Sequence, residues 1–191
     1  MKTQNSAIEV VSRVGFGRFQ ASIDADLDPY IPEGWRLVKH VRPGFVAWKP
    51  GYVRLFRTDS WKNVGSELAF LENIDDRLPH NATVLDFLLR RENQHLIPEG
   101  LQRYHVWFPG TVYEADSLYN DPNYLRMVRT CHTAGEDRRC MRGICYVNGA
   151  WKEHRAWLIS SPSDKFRIAL RSLEDDPRRR SVPQALRSLF K

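Results

Sequence analysis

Between Ile31 and Thr58 the chain carries a set of backbone breakers that it repeats between Ile97 and Thr130. Each stretch opens Ile-Pro-Glu-Gly, at Ile31 to Gly34 and at Ile97 to Gly100. Each reaches a Pro-Gly pair twelve residues after its first Ile, Pro43-Gly44 and Pro109-Gly110. Each closes on Tyr-x-Arg-x-x-Arg-Thr, Tyr52 to Thr58 and Tyr124 to Thr130. Proline fixes φ and offers no amide donor, and glycine accepts backbone angles that other residues resist, so regular structure stops at these points. Only short runs remain between them: Trp35 to Val41, Phe45 to Trp48 and Tyr52 to Arg57 in the first copy. Such runs are rich in aromatic and β-branched residues and predict a meander of short strands. In the second copy the same reading predicts strands at Tyr104–Phe108, Thr111–Ala115 and Leu125–Cys131. From Pro109 to Tyr124 is 15 residues where the first copy needs 9 from Pro43 to Tyr52, so the second copy is enlarged before its last strand.

The period changes between the copies. Val64, Leu68 and Leu71 fall at helical spacing, and a second helix capped by Asn81 or Thr83 carries Val84, Leu85, Leu88 and Leu89. After the second copy, Asn148-Gly149 sits between apolar runs. Both residues tolerate the positive φ of a type I′ turn, which predicts a hairpin of Arg139–Val147 and Ala150–Ile159. Phe166, Ala169, Leu170 and Leu173 then read as a helix, and Val182, Ala185, Leu186, Leu189 and Phe190 as a last one. At the other end, Ile8, Val10, Val14 and Phe16 nearly alternate, a strand signal, and residues 22–30 read as an acidic connector. The fold class these signals predict is α+β. Two related short-stranded antiparallel units, an internal duplication, flank a helical pair, and a helical extension follows. The expected segments are 1–63, 64–93, 94–160 and a basic helical tail at 161–191, packed as one globule.

No apolar run approaches the ~18 residues that span a bilayer, and the polar N-terminus lacks a secretory core, so no membrane association is expected. Three cysteines make an odd count with no tight pairing, which fits a reducing, cytoplasmic setting. The formal charge of +6 is unevenly placed. Residues 1–137 hold 16 Lys/Arg against 18 Asp/Glu, whereas residues 138–191 hold 13 against 5. An anionic partner near the C-terminal third accounts for that asymmetry, and a solvated basic face accounts for it equally well.

Catalytic signals are weak. Each copy pairs a turn Glu with a strand His, Glu33 with His40 and Glu99 with His105, but the separations are seven and six residues. A side-chain period of two then sends the two imidazoles to opposite faces, which favours turn and packing roles over shared acid–base work. Cys131, His132, Cys140, Cys145 and His154 could supply zinc donors, yet the cysteines are nine and five positions apart and form no Cys-x-x-Cys knuckle. No base can be placed beside a cysteine nucleophile by spacing. Gly15-Phe16-Gly17 lacks the third glycine of a dinucleotide loop, and neither a Gly-x-Ser-x-Gly elbow nor a His-Glu-x-x-His helix occurs. The sequence nominates no catalytic residue, metal or cofactor.

A basic strand surface is the better candidate. Arg138, Arg139, Arg142, Lys152 and Arg155 are interleaved with Tyr146, Trp151 and Trp157, and Arg178, Arg179, Arg180 and Arg187 extend the charge. Guanidinium and ammonium groups grip phosphates while aromatic faces stack on bases. The expected role is a non-enzymatic binding or accessory protein engaging nucleic acid or an acidic protein surface. Two alternatives stand beside it: a small hydrolase or nuclease using the His and Glu of the repeats, and a module that docks its C-terminal amphipathic helix in a partner groove. The natural partner and oligomeric state stay open.

Val84-Leu85-Asp86-Phe87-Leu88-Leu89, Leu96-Ile97-Pro98-Glu99 and Trp107-Phe108-Pro109-Gly110-Thr111-Val112-Tyr113 resemble phrases of a group of small uncharacterised bacterial hypothetical proteins. Those proteins also carry a Trp-containing hairpin ending in Trp-Leu, which corresponds here to Tyr146 to Trp151 through Trp157-Leu158. Pro32 to Val38 is similar to their N-terminal segment. The resemblance covers about residues 30–160 and consists of turn and packing motifs, and the Arg-rich tail after Pro177 departs from it. It implies an architecture and brings no activity, cofactor or catalytic residue.

Overall fold

The computed structural model describes residues 6–10, 21–48, 54–58, 79–115, 138–158 and 163–171. Its strands are β1 (Ser6–Val10), β2 (Ala21–Asp24), β3 (Trp35–His40), β4 (Phe45–Trp48), β5 (Arg54–Thr58), β6 (His105–Trp107), β7 (Thr111–Ala115), β8 (Arg139–Val147), β9 (Ala150–Trp157) and β10 (Phe166–Leu170), with one α-helix, α1 (Ala82–Leu89). Short 3₁₀ turns at Arg91–Leu96 and Glu99–Leu101 link α1 to β6. The class is therefore α+β with strands predominating. No helix among the described residues is long and apolar enough to cross a membrane.

The hairpin of β8 and β9 forms as expected from Asn148-Gly149. These two residues have φ of 53° and 79°, and the ladder runs from Val147 opposite Ala150 to Cys140 opposite Trp157. Along its other side β8 carries β6 and then β7. The register that places Val106 opposite Ile144 would put Tyr113 opposite residue 137, but Tyr113 sits opposite Cys140, three residues on. Phe108 still donates its amide to the Arg142 carbonyl at 3.1 Å, and the slip is made by Pro109-Gly110 after it. Gly110 is required there for space, because a Cβ would lie 3.0 Å from both Asn81 Cα and the His80 carbonyl.

The main sheet runs β1-β5-β10-β6-β8-β7-β3, with β9 on β8, and β2 pairs with β4 in a small second sheet. Two expectations are corrected by this topology. Phe166–Leu170 is a strand, not the first turns of a helix, and it lies between antiparallel β5 and parallel β6. Phe166, Ile168 and Leu170 share one face and Ala169 faces the other, and all four are buried. A strand covered on both faces has no hydrophobic period, so its short apolar run imitates helical spacing. The tail expected from residue 161 thus begins inside the sheet. Ala21–Asp24 is likewise a strand, not part of an acidic connector. Its carboxylates serve local turns: Asp24 accepts the Asp26 amide at 3.2 Å, and Asp26 accepts the Gly44 amide at 2.6 Å.

The breaker residues recur between the two copies, but among the described residues neither the turns nor the strand pairing do: Gly34 takes a φ of 73°, whereas Glu99–Leu101 is a 3₁₀ turn and Gly100 has no positive φ. β3 joins the main sheet on β7 while β4 leaves to pair with β2, whereas β6 and β7 both lie along β8. Gly44 adopts a φ of 79°, and Gly110 is absent from the positive-φ glycines. The helix expected at residues 64–75, the strand at 125–131, and the last helix lie outside the described residues.

The expected helix at residues 81–89 forms, and its cap ties the two sheets together. The Asn81 side-chain oxygen accepts the Val84 amide at 3.3 Å, while its Nδ2 donates to the Ala25 carbonyl at 2.7 Å and the Val41 carbonyl at 2.8 Å. The next two residues complete the junction, with the Ala82 amide donating to Thr111 Oγ1 at 2.9 Å and Thr83 Oγ1 donating to the Leu27 carbonyl at 2.6 Å. Val84, Leu85 and Leu88 then pack with Ile23, Val46, Trp48, Phe108 and Ile144 in one core. A separate cluster that includes Trp107, Met141, Phe166 and Ile168 forms on the main sheet.

Gly143, in the middle of β8, sits under Trp107. A Cβ there would lie 2.5 Å from the indole ring and closer still to the Val106 carbonyl. Gly143→Ala is expected to destabilise the fold by about 1–3 kcal/mol or more through overpacking, read as a lowered midpoint in urea unfolding.

Candidate functional site

Strand alternation divides the charged hairpin residues between two faces. Arg142 lies between Cys140 and Ile144 on the face of β8 turned toward α1, and its side chain is only 2% exposed. Its guanidinium donates to both Glu153 oxygens, at 3.1 and 2.9 Å, and forms an ion pair with Asp86 of α1 at 2.8 Å. It also donates to the Tyr30 carbonyl at 3.0 Å and lies over the rings of Tyr30 and Tyr113, 5.2 and 5.8 Å from their centroids. Tyr113 Oη donates to the same Tyr30 carbonyl at 3.2 Å, and Asp86 accepts the Tyr30 amide at 2.7 Å. Arg142 is therefore the centre of a buried network and cannot reach an external phosphate. This corrects the expectation that placed it on a binding surface.

The network sets the charge states of its members. Burial works against the Arg142 cation, but hydrogen bonding by Glu153 and the charge of Asp86 outweigh it, so the pKa rises and the residue stays charged. Burial pushes the Tyr113 phenol up to about 12 against the opposing pull of Arg142. Burial would also raise Glu153, but its bonds to Arg142 prevail and hold the carboxyl below the ordinary Glu range. Both carboxylates are engaged by the guanidinium, so the network lacks an uncommitted acid or base. Sequence reading missed Asp86, Glu153, Tyr30 and Tyr113. A usable signal was present: an arginine at the inward phase of a strand demands an acidic partner.

Two of the three stacking candidates are also core residues. Trp157 is 4% exposed and stacks on Trp35 at 5.2 Å, and Trp151 is 9% exposed. The half-buried Tyr146 meets Trp151 edge-on at 5.1 Å. The other hairpin cations do reach the surface. Arg139, Lys152 and Arg155 are exposed and Arg138 is partly so. Arg155 lies 5.3 Å above Trp35 and 3.5 Å from Glu153, while Arg138 approaches Glu114 at 3.7 Å. Arg178, Arg179, Arg180 and Arg187 lie outside the described residues.

The repeat histidines part ways, on strands that start at different offsets, with a bulge between Leu37 and Lys39 ahead of His40. His40 Nδ1 is 2.8 Å from Thr111 Oγ1, whereas His105 meets the His154 ring at 5.3 Å. Glu33 and Glu99 are exposed and act on neither imidazole. Burial lowers His40, with Arg42 adding to the effect, and it drives the enclosed His80 down to about 3. Cys140 and Cys145 are buried thiols, and burial pushes the Cys145 thiol up, away from the thiolate a nucleophile requires. Among the described residues no group of three or more His, Cys, Asp or Glu side chains is placed to hold a metal ion. Cys131 and His132 lie outside the described residues.

No family model, curated protein or solved structure matches the chain.

Removing one partner from a buried ion pair leaves the others uncompensated. Arg142→Met is therefore expected to cost about 3–5 kcal/mol in chemical denaturation, since Asp86 and Glu153 then repel without a cation between them. A second outcome concerns acid. A histidine held neutral in the folded chain binds its proton on unfolding, so His80 contributes full stability above pH 6.5 and loses it as pH falls from 6.5 toward about 3. His80→Phe should flatten that limb of a plot of unfolding free energy against pH.

Proposed function

We propose that the protein is a non-enzymatic binding protein that holds nucleic acid by its phosphates along the β8–β9 hairpin, in the reducing cytoplasm. The observation that carries this reading is the distribution of cations on β9. Among the described strands β9 pairs only with β8, and it exposes Lys152 and Arg155 to opposite faces while Trp151 and Trp157 turn inward. A surface that offers cations and withholds its indoles recognises a charged backbone in preference to unstacked bases. Arg139 adds to the charge from β8, and the arginines after Pro177 would extend it. The full engagement of Asp86 and Glu153 by Arg142 and the raised Cys145 thiol support binding over catalysis. The matching breakers of the two copies fit an ancestral duplication whose strands have since taken different partners.

Binding of this kind releases counterions. A mobility shift with labelled single-stranded and double-stranded oligonucleotides should weaken linearly in log Kd against log salt. Lys152→Gln together with Arg155→Gln should reduce that slope by about one to two, at ~0.9 per lost phosphate contact on duplex DNA. Absence of a shift at low ionic strength would overturn the reading. Capture of polyglutamate without nucleic acid would move the partner to an acidic protein surface.

A further inference from the structure

On the sheet face opposite Arg142, the missing side chain of Gly143 brings the two flanking strands together. Gly143 stands opposite Trp107 of β6 on one side and His154 of β9 on the other. The Trp107 and His154 rings meet at 5.4 Å, and His105, two residues before Trp107 on the same face, meets His154 at 5.3 Å. Neither imidazole hydrogen-bonds to a described residue, although His105 is half-buried. Trp107 and Phe166 stack at 5.8 Å behind them as an apolar floor.

Positive charge surrounds this pair. The Lys165 carbonyl accepts the His105 amide at 2.8 Å, and the Lys165 charge acts on the His105 ring. Lys152 stands opposite Cys145 and acts on its thiol. Lys165, just before β10, acts on His105, and His105 acts on His154; Lys152 lies two residues before His154 on the same face of β9 and acts on the Cys145 thiol, and no carboxylate acts on either ring. Glu153 and Arg155 project from the opposite face of β9. A divalent metal would enter beside an ammonium group with no anionic ligand to balance it, whereas an anion meets ammonium and imidazole N–H donors, with a second N–H on each ring once it is protonated.

We propose that His105 and His154, with Lys165 and Lys152 beside them, form a phosphate-binding seat that takes up protons as it fills. The proposal rests on the nucleic-acid reading above and names the site at which one backbone phosphate is held. Burial keeps both imidazoles below the ordinary histidine range when the seat is empty, with the Lys165 charge adding to the effect at His105 and the His105 ring adding to it at His154. A phosphate between them reverses that field and favours imidazolium. Binding therefore strengthens as pH falls through the range in which the pair becomes charged.

The test uses the full-length wild-type protein, with histidine ring resonances followed by NMR. Inorganic phosphate, compared with sodium chloride at equal ionic strength, should raise the titration midpoints of His105 and His154 by about half a unit or more. The affinity for a labelled oligonucleotide should be about tenfold tighter at pH 6 than at pH 7.5, and His105→Gln with His154→Gln should abolish that difference. Unmoved midpoints overturn the seat without requiring any variant to fold. Oligonucleotide binding that depends on salt yet is equal at the two pH values also overturns it, and leaves the nucleic-acid reading intact. Shifted midpoints with no oligonucleotide binding at low salt uphold the seat for small phosphates and overturn the nucleic-acid reading.

Discussion

The buried guanidinium of Arg142 is the interaction on which the rest of the structure depends. A cation at 2% exposure is tolerable only if every direction of its charge and hydrogen bonding is answered. The answers come from elements far apart in sequence: Glu153 on β9, Asp86 on α1, Tyr113 on β7 and the backbone of Tyr30 before β3. Satisfying one side chain therefore fixes how the helix sits on the sheet and where the loop before β3 lies against it. Hydrophobic burial by Val84, Leu85 and Leu88 supplies attraction but little direction. The ion network, with the Asn81 cap as its neighbour, supplies the direction.

β8 separates two kinds of chemistry. One face, through Arg142, is committed to holding the fold together. The other, through Gly143, leaves a gap over which an indole and two imidazoles converge from adjacent strands. Strand alternation makes this division possible, because consecutive residues serve opposite faces. The same alternation splits the cations of β9, so one strand carries both Lys152 and Arg155 without crowding their charges.

Local elements were legible where a residue's own backbone preference settles the matter. Asn148-Gly149 specified its hairpin, Asn81 its helix cap and the Pro-Gly pairs their strand ends. Phe166–Leu170 was misread because both its faces are covered, Phe166, Ile168 and Leu170 packing into one apolar cluster and Ala169 into the other, which erases the period that would have marked a strand. Ala21–Asp24 was misread because Asp24, Asp26 and Asp28 suggest a solvated linker, whereas Asp24 ends a strand and both it and Asp26 accept backbone amides. At the site, basic charge in the last third was visible, but the reading counted Arg142, Trp151 and Trp157 as surface groups. Their common error was to ignore phase: each falls on the inward side of its strand.

The sequence by itself determined where the chain must turn, that short strands lie between those turns, and that net positive charge collects after residue 137. These follow from φ preferences, missing amide donors and counts of ionisable groups, none of which depends on distant contacts. Tertiary structure alone decided which Pro-Gly pair would open into two sheets and which would slip along one strand. It also decided that Arg142 would serve the core and that His105 and His154 would meet across Gly143. Those outcomes rest on strand pairing between residues tens of positions apart, and pairing is chosen by the packing of the whole sheet against α1, which no local stretch encodes.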